Sequence, residues 1–179
     1  MNLPSSRSYG SWLAVVRFLT GCIWVIHAVP KFVHAADFLP PNGAFGQYLT
    51  QGIAKAGAPY HDFLLGVVQP NALAFAELVR FGELLVGISL AIGLFSRLGG
   101  LFGIVLTLNY MAARGAITSF SGWASIDGCL MLLSAISLVL PTGRVLGLDA
   151  FSARRGPRRT VVVPEVVPER PLDGPRAAQ

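Results

Sequence analysis

Charged side chains are scarce in this sequence. Asp, Glu, Lys and Arg make up 13% of its 179 residues, whereas a soluble domain carries roughly a quarter. Hydrophobic residues account for 53%, and the mean hydropathy is +0.59. This balance excludes an ordinary soluble domain and indicates a protein of the membrane class, in contact with a lipid bilayer. The net charge of +5 is explained below by membrane topology, so we expect no nucleic-acid partner.

Residues that commonly carry cofactors are equally few. The two cysteines, Cys22 and Cys129, lack CxxC spacing and cannot form a redox dithiol by proximity. His27 is the one histidine in an apolar run, so paired axial ligands for a haem are excluded. The sequence has no metal motif, Gly-rich phosphate loop or nucleophile elbow. We therefore expect no metal site and no intrinsic cofactor, and whether the protein is an enzyme stays open.

Four long apolar runs dominate the rest of the chain, at about residues 12–29, 72–95, 98–113 and 123–140. A membrane-spanning helix needs about 20 residues, and lipid leaves no backbone group unpaired, so each run should be helical. The sequence predicts an all-α fold, a four-helix integral membrane bundle over residues 1–149. The first run also resembles a signal peptide, but Arg17 interrupts its apolar core and no clean cleavage site follows.

The basic residues orient this bundle. Those that would share one side of four crossings are Arg7, Arg97, Arg144, Arg154, Arg155, Arg158 and Arg159. The positive-inside rule places that side, with both termini, in the cytoplasm of a multi-pass protein of the cell membrane. Residues 150–179 are rich in proline and arginine and have no period, which predicts a disordered cytoplasmic tail.

The connection between the first two runs is long for a bundle, from Pro30 to Asn71. Within it, residues 44–57 space apolar side chains at helical intervals, and residues 61–68 are apolar again. We expect short helices here, lying over the outer face of the bundle.

The second run raises a physical question, because it contains Glu77, Arg80 and Glu83. A charge at the membrane centre costs roughly 2.5–3.5 kcal/mol on insertion scales. At 100° per residue the three share one 120° face, which must look into the bundle. Arg17 on the first helix should lie on an inward face too. We predict an Arg17–Glu83 ion pair as a structural tie, because buried charges persist only when paired.

A second polar set collects towards the outer end of the predicted helices. By rise per residue its members occupy similar depth, and they are His27, Glu77, Arg80, Asn109, Tyr110 and Asp127. They form a candidate polar pocket beneath the loop helices. The alternative without a pocket is that these side chains lie at the membrane–water interface and reach water.

The run ELLVGISLAIGLFSRLGGLFGIVL, from Glu83 to Leu106, resembles the signature of DoxX-like and DoxD-like membrane proteins. A glutamate is followed by a glycine four residues on, by a second glycine six further on, and by a Ser-Arg turn. RFLTG with a later lysine, from Arg17 to Lys31, fits the start of that family. The resemblance implies a four-helix membrane protein; DoxD-like relatives include the membrane subunit of thiosulfate:quinone oxidoreductase.

Three functions are consistent with these observations. The leading hypothesis is a redox-associated membrane subunit that binds a quinone or similar small molecule among its helices and takes electrons from a redox partner protein. The alternatives are a non-enzymatic scaffold that recruits a partner protein and, less favoured, a small transporter. A single four-helix unit lacks the inverted repeats of a transporter, so transport would require a homo-oligomer, which the sequence leaves open.

Overall fold

The computed structural model describes residues 6–140 and 147–148. These residues are helical with short connections and contain no strand, which confirms the all-α prediction. The helices are α1 (Ser6–Val33), α2 (Ala35–Phe38), α3 (Ala44–Lys55), α4 (Ala58–Phe63), α5 (Ala72–Ile92), α6 (Ser96–Ala113), α7 (Phe120–Trp123) and α8 (Ile126–Val139). The predicted tail, residues 150–179, lies outside the described residues.

Each of the four apolar runs lies on one of the four longest helices, α1, α5, α6 and α8. The difference that matters for the site is at the end of α1, which continues through Pro30 to Val33 instead of ending at Val29. Proline removes one backbone donor and usually kinks or ends a helix, but apolar bundles tolerate it where neighbouring groups compensate. The extra turn places Lys31 on α1, facing α5.

The long helices pack in antiparallel pairs, α1 with α5, α5 with α6 and α6 with α8. Gly21 and Gly87 set the first crossing: a methyl group on Gly21 would lie 2.3 Å from the backbone nitrogen of Ala91, and one on Gly87 would lie 2.8 Å from that of Val25. The two backbones therefore approach each other closely at these glycines, as at small-residue crossings of membrane helices.

The connection between α1 and α5 is helical for most of its length, as predicted. After α2, α3 and α4, a π-helical turn (Leu64–Val68) and a 3-10 turn (Gln69–Asn71) lead into α5. Pro70 therefore does not interrupt the helical path into α5. It lies in the first turn of the 3-10 helix, where a backbone N–H would have no helical acceptor. Tyr60 of α4 donates to Oδ1 of Asn109 on α6 at 2.9 Å, which ties this outer segment to the bundle.

The outward faces of the long helices are apolar. Among the exposed side chains are Trp12, Ile26, Leu78, Leu85, Phe102, Leu132 and Val139. By length and composition, one helix of the described residues, Tyr9–Val33 with a mean hydropathy of 1.8, could cross a membrane, and Ile126–Val139 is shorter but apolar. Both cysteines are free.

Candidate functional site

A buried carboxylate lies near the middle of α5. Glu83 is 2% exposed, and each of its oxygens has a partner on another helix. The ammonium of Lys31, on α1, contacts Oε2, and the hydroxyl of Tyr110, on α6, donates to Oε1 at 2.6 Å. We call Lys31, Glu83 and Tyr110 the central triad. It joins three helices through one anion, one cation and one phenol.

The central triad replaces the predicted Arg17–Glu83 pair, which the structure does not bring together. Val25 lies against Gly87, so in the antiparallel register Glu83 lies opposite Ala28 or its neighbour. Lys31 is then about one turn from Glu83, whereas Arg17 is eleven residues from Ala28, or roughly 16 Å along the helix. Lys31 was not foreseen as the partner of Glu83, because the predicted first helix ended at Val29 and left Lys31 in the connection that follows.

Arg17 has a different position. It is 2% exposed, and its guanidinium lies against Gly93, the residue that ends α5. Carbonyl groups at a helix C-terminus carry partial negative charge, so a cation there is favourable. Arg80 of α5 makes the reciprocal contact with the C-terminal end of α1. Its Nη1 lies 3.4 Å from the carbonyl oxygen of Lys31, in the last turn of that helix. Each of the two helices thus places an arginine at the C-terminal end of the other.

Arg80 also holds Glu77 in a two-pronged ion pair. Nε donates to Oε2 at 2.6 Å and Nη2 donates to Oε1 at 2.5 Å. The guanidinium is 4.8 Å from the ring centroid of Phe32 and 5.6 Å from that of Phe81. These rings shield the pair on one side, and cation–π contacts of this kind favour a fixed guanidinium. The prediction that Glu77, Arg80 and Glu83 share one face agrees with this geometry.

The six side chains of the candidate polar pocket do not meet at one place. Glu77 and Arg80 pair with each other, Tyr110 joins the central triad, and Asn109 accepts from Tyr60. His27 is exposed, because α1 turns Ala28 and Trp24 inward instead. Similar depth along the helices is therefore not enough to gather side chains that project from different faces.

Asp127, the sixth member, pairs with Arg114 at the C-terminal end of α6. It is 8% exposed, while the side chain of Arg114 is half-exposed. Arg114 also lines an open hollow of about 310 Å³, with Gly115, Ala116, Ser119, Ser121, Gly122 and Ser125. The sequence reasoning missed both Lys31 and Arg114, each of which lies within a turn of a helix end where the boundary decides the partner.

Tyr60 is the other polar group that sequence reasoning missed. Burial raises the pKa of its hydroxyl above the usual value of 10.0. The hydroxyl therefore stays a neutral donor to Asn109 at physiological pH. No group of His, Cys, Asp and Glu side chains suited to a metal ion occurs within residues 6–140 and 147–148.

The sequence of this chain matches a known protein family. A family model described as "TQO small subunit DoxD" matches residues 12–161. The match covers α1 from residue 12 onwards and all of α5, α6 and α8, and it includes Lys31, Glu83 and Tyr110. It confirms the resemblance drawn from the stretches around Arg17 and Glu83. No solved structure matches the chain.

Proposed function

The chain belongs to the DoxD family, and on that premise we propose that it is a redox-associated membrane subunit whose helix bundle binds a quinone or a similar small molecule. The family's description as a small subunit supports a place in a larger complex with a redox partner protein. The observation that carries the binding proposal is the buried carboxylate of Glu83 between Lys31 and Tyr110.

The exposed apolar side chains support a bundle surrounded by lipid. A soluble monomer seldom exposes contiguous apolar patches of more than a few hundred Å², yet large apolar side chains line the outward faces of α1, α5, α6 and α8. In this proposal all four helices span the bilayer. Arg97, in the first turn of α6, then lies at the same end as the N-terminus of α1, which supports cytoplasmic termini by the positive-inside rule.

The central triad offers the chemistry that a quinone site needs. Quinone reduction takes up two protons and quinol oxidation releases them, so a site requires groups that hold protons near the ring oxygens. Glu83 and Tyr110 share a short hydrogen bond inside the bundle, and Lys31, partly exposed, connects them to the outer end. The electrons pass to or from the redox partner in this proposal.

The experiment is purification in mild detergent followed by extraction and identification of bound quinone. We expect quinone to accompany the wild-type protein, and a short-chain ubiquinone analogue added to quinone-free protein to raise its melting temperature. Glu83→Gln should lower the bound amount, while Glu77→Gln, which changes an ion pair outside the triad, serves as the matched control. Protein that carries no quinone and shows no response to the analogue would remove the proposal.

A second candidate function is a membrane scaffold without a ligand. It is favoured by the complete pairing of Glu83, whose two oxygens already have protein partners. A scaffold needs the triad only for helix packing, and a buried ion pair can often be replaced by apolar residues without loss of stability. A Lys31→Met, Glu83→Leu double variant that folds and retains its partner and function would favour this candidate over quinone binding.

A further inference from the structure

Nε1 of Trp24 and Oγ of Ser134 are buried in the bundle and have no hydrogen-bond partner among the described residues. Trp24 is 1% exposed and Ser134 is 0% exposed. Other residues of the same types are satisfied: Nε1 of Trp123 donates to the carbonyl oxygen of Ile117 at 2.8 Å, and Oγ of Ser137 donates to that of Leu133 at 3.3 Å. Buried polar groups are nearly always paired, so each exception needs a partner from outside the chain or a special reason.

The two atoms lie at the same level of the bundle. Trp24 packs in one buried cluster with Val86, Leu90 and Leu130. A methyl group on Gly103 of α6 would lie 3.5 Å from a methyl carbon of Val86 and 2.6 Å from Oγ of Ser134. Trp24 on α1 and Ser134 on α8 are therefore both at the depth of Val86.

This level adjoins the central triad. Tyr110 packs against the same buried cluster and donates to Glu83. Val86 follows Glu83 by three residues, which is about 4.5 Å along α5. Measured along the helix axes, the two unpaired groups thus lie about one helical turn from the buried carboxylate, on the side towards the C-terminal end of α5.

The chemistry of the two groups defines what could satisfy them. An indole N–H can only donate a hydrogen bond, and a hydroxyl can donate or accept one. An acceptor oxygen can therefore accept a hydrogen bond from both groups. We propose that Trp24 and Ser134 are ligand-binding residues that donate hydrogen bonds to a carbonyl oxygen of the small molecule held beside the central triad. This inference rests on the proposed function and adds to it the residues that recognise the ligand and the ligand's carbonyl class.

The test compares Trp24→Phe and Ser134→Ala with Trp123→Phe, in which the lost indole N–H already has a protein acceptor. The probe is a short-chain ubiquinone analogue, added to each protein in lipid nanodiscs, with affinity measured by titration. One neutral hydrogen bond contributes about 0.5–1.5 kcal/mol, so we expect each site variant to bind the probe about 2–12-fold more weakly. The Trp123→Phe control should bind like the wild type.

A spectroscopic readout separates ligand contact from a loss of packing. In protein labelled with ¹⁵N-tryptophan, the indole signal that Trp24→Phe removes should shift when the probe is added to the wild type, and the signals of Trp12 and Trp123 should stay in place. If both site variants bind as tightly as the wild type and the Trp24 signal does not move, the inference fails while quinone binding stands. A wild-type protein that binds no probe overturns both.

Discussion

Arg17 of α1 lies with its guanidinium against Gly93, the residue that ends α5. Gly93 has φ +69°, and a methyl group there would lie 2.4 Å from Nη1 of Arg17. The absence of a side chain lets a buried cation reach the C-terminal end of the helix. Together with Arg80 at the end of α1, this contact explains why two antiparallel helices of an apolar bundle each carry an arginine.

Gly93→Ala should therefore destabilise the protein strongly. A left-handed conformation costs a non-glycine residue roughly 1–2 kcal/mol, and displacement of Arg17 adds to this cost. We expect a loss of about 2–4 kcal/mol, which combines that strain with a disturbed buried charge. The measurement is denaturant unfolding in detergent micelles. Gly66→Ala is the control, because a methyl group at Gly66 meets nothing within 4 Å, and equal effects of the two variants would contradict the assignment.

The crossing of α1 and α5 predicts a second glycine effect. In Gly21→Ala the new methyl group would meet the backbone of Ala91 at 2.3 Å, so the helices must separate, at a cost of about 1–3 kcal/mol or more. Gly82→Ala, on α5, would meet only methyl carbons of Leu106 at 3.6 Å and 3.7 Å and should be near neutral. Melting temperatures of the two variants in the same detergent compare them, and a tolerant Gly21 would refute the close crossing.

Lys31, rather than Arg17, should be coupled energetically to Glu83. In a double-mutant cycle, residues in contact show coupling of about 0.5–3 kcal/mol, while distant ones add within about 0.5 kcal/mol. We expect Lys31→Met and Glu83→Gln to be coupled and Arg17→Met and Glu83→Gln to be additive, as measured by unfolding free energies. Coupling confined to the Arg17 cycle would restore the pairing predicted from sequence.

Tyr60→Phe should loosen the outer segment without unfolding the bundle. The variant removes the hydrogen bond to Asn109, a loss of about 0.5–1.5 kcal/mol. Hydrogen exchange should accelerate in α3 and α4, and not in α8. Because burial raises the pKa of Tyr60, its contribution is full below the ordinary value of 10.0 and is lost as the pH rises through the higher, folded value. An exchange pattern identical to that of the wild type would show that the bond does not hold the segment.

The helices were predictable from sequence because long apolar runs bounded by Gly, Pro and charges have few alternatives in an all-α fold. The inward face of α5 was predictable for the same reason, since Glu77, Arg80 and Glu83 fall within one arc. The partner of Glu83 was not, because it depends on the register of α1 against α5. That register is set by Gly21 and Gly87, and the sequence does not say which glycines meet.

The end of α1 shows a second limit. A proline inside an apolar run predicts a helix end, yet α1 continues past Pro30 and brings Lys31 to face Glu83. A one-turn error in a boundary thus changed the identity of the cation in the site. The sequence likewise could not predict that Nε1 of Trp24 lacks a hydrogen-bond partner, because this depends on how four helices pack.

The most direct test of quinone binding at the central triad is photoaffinity labelling with an azidoquinone in lipid nanodiscs, followed by peptide mass spectrometry. The account predicts labels near Trp24, Glu83 and Tyr110 that are suppressed by an excess of short-chain ubiquinone and lost in Glu83→Gln. Labels only on exposed side chains of the outward faces, such as Leu78 and Phe102, unaffected by competitor or by the substitution, would contradict it.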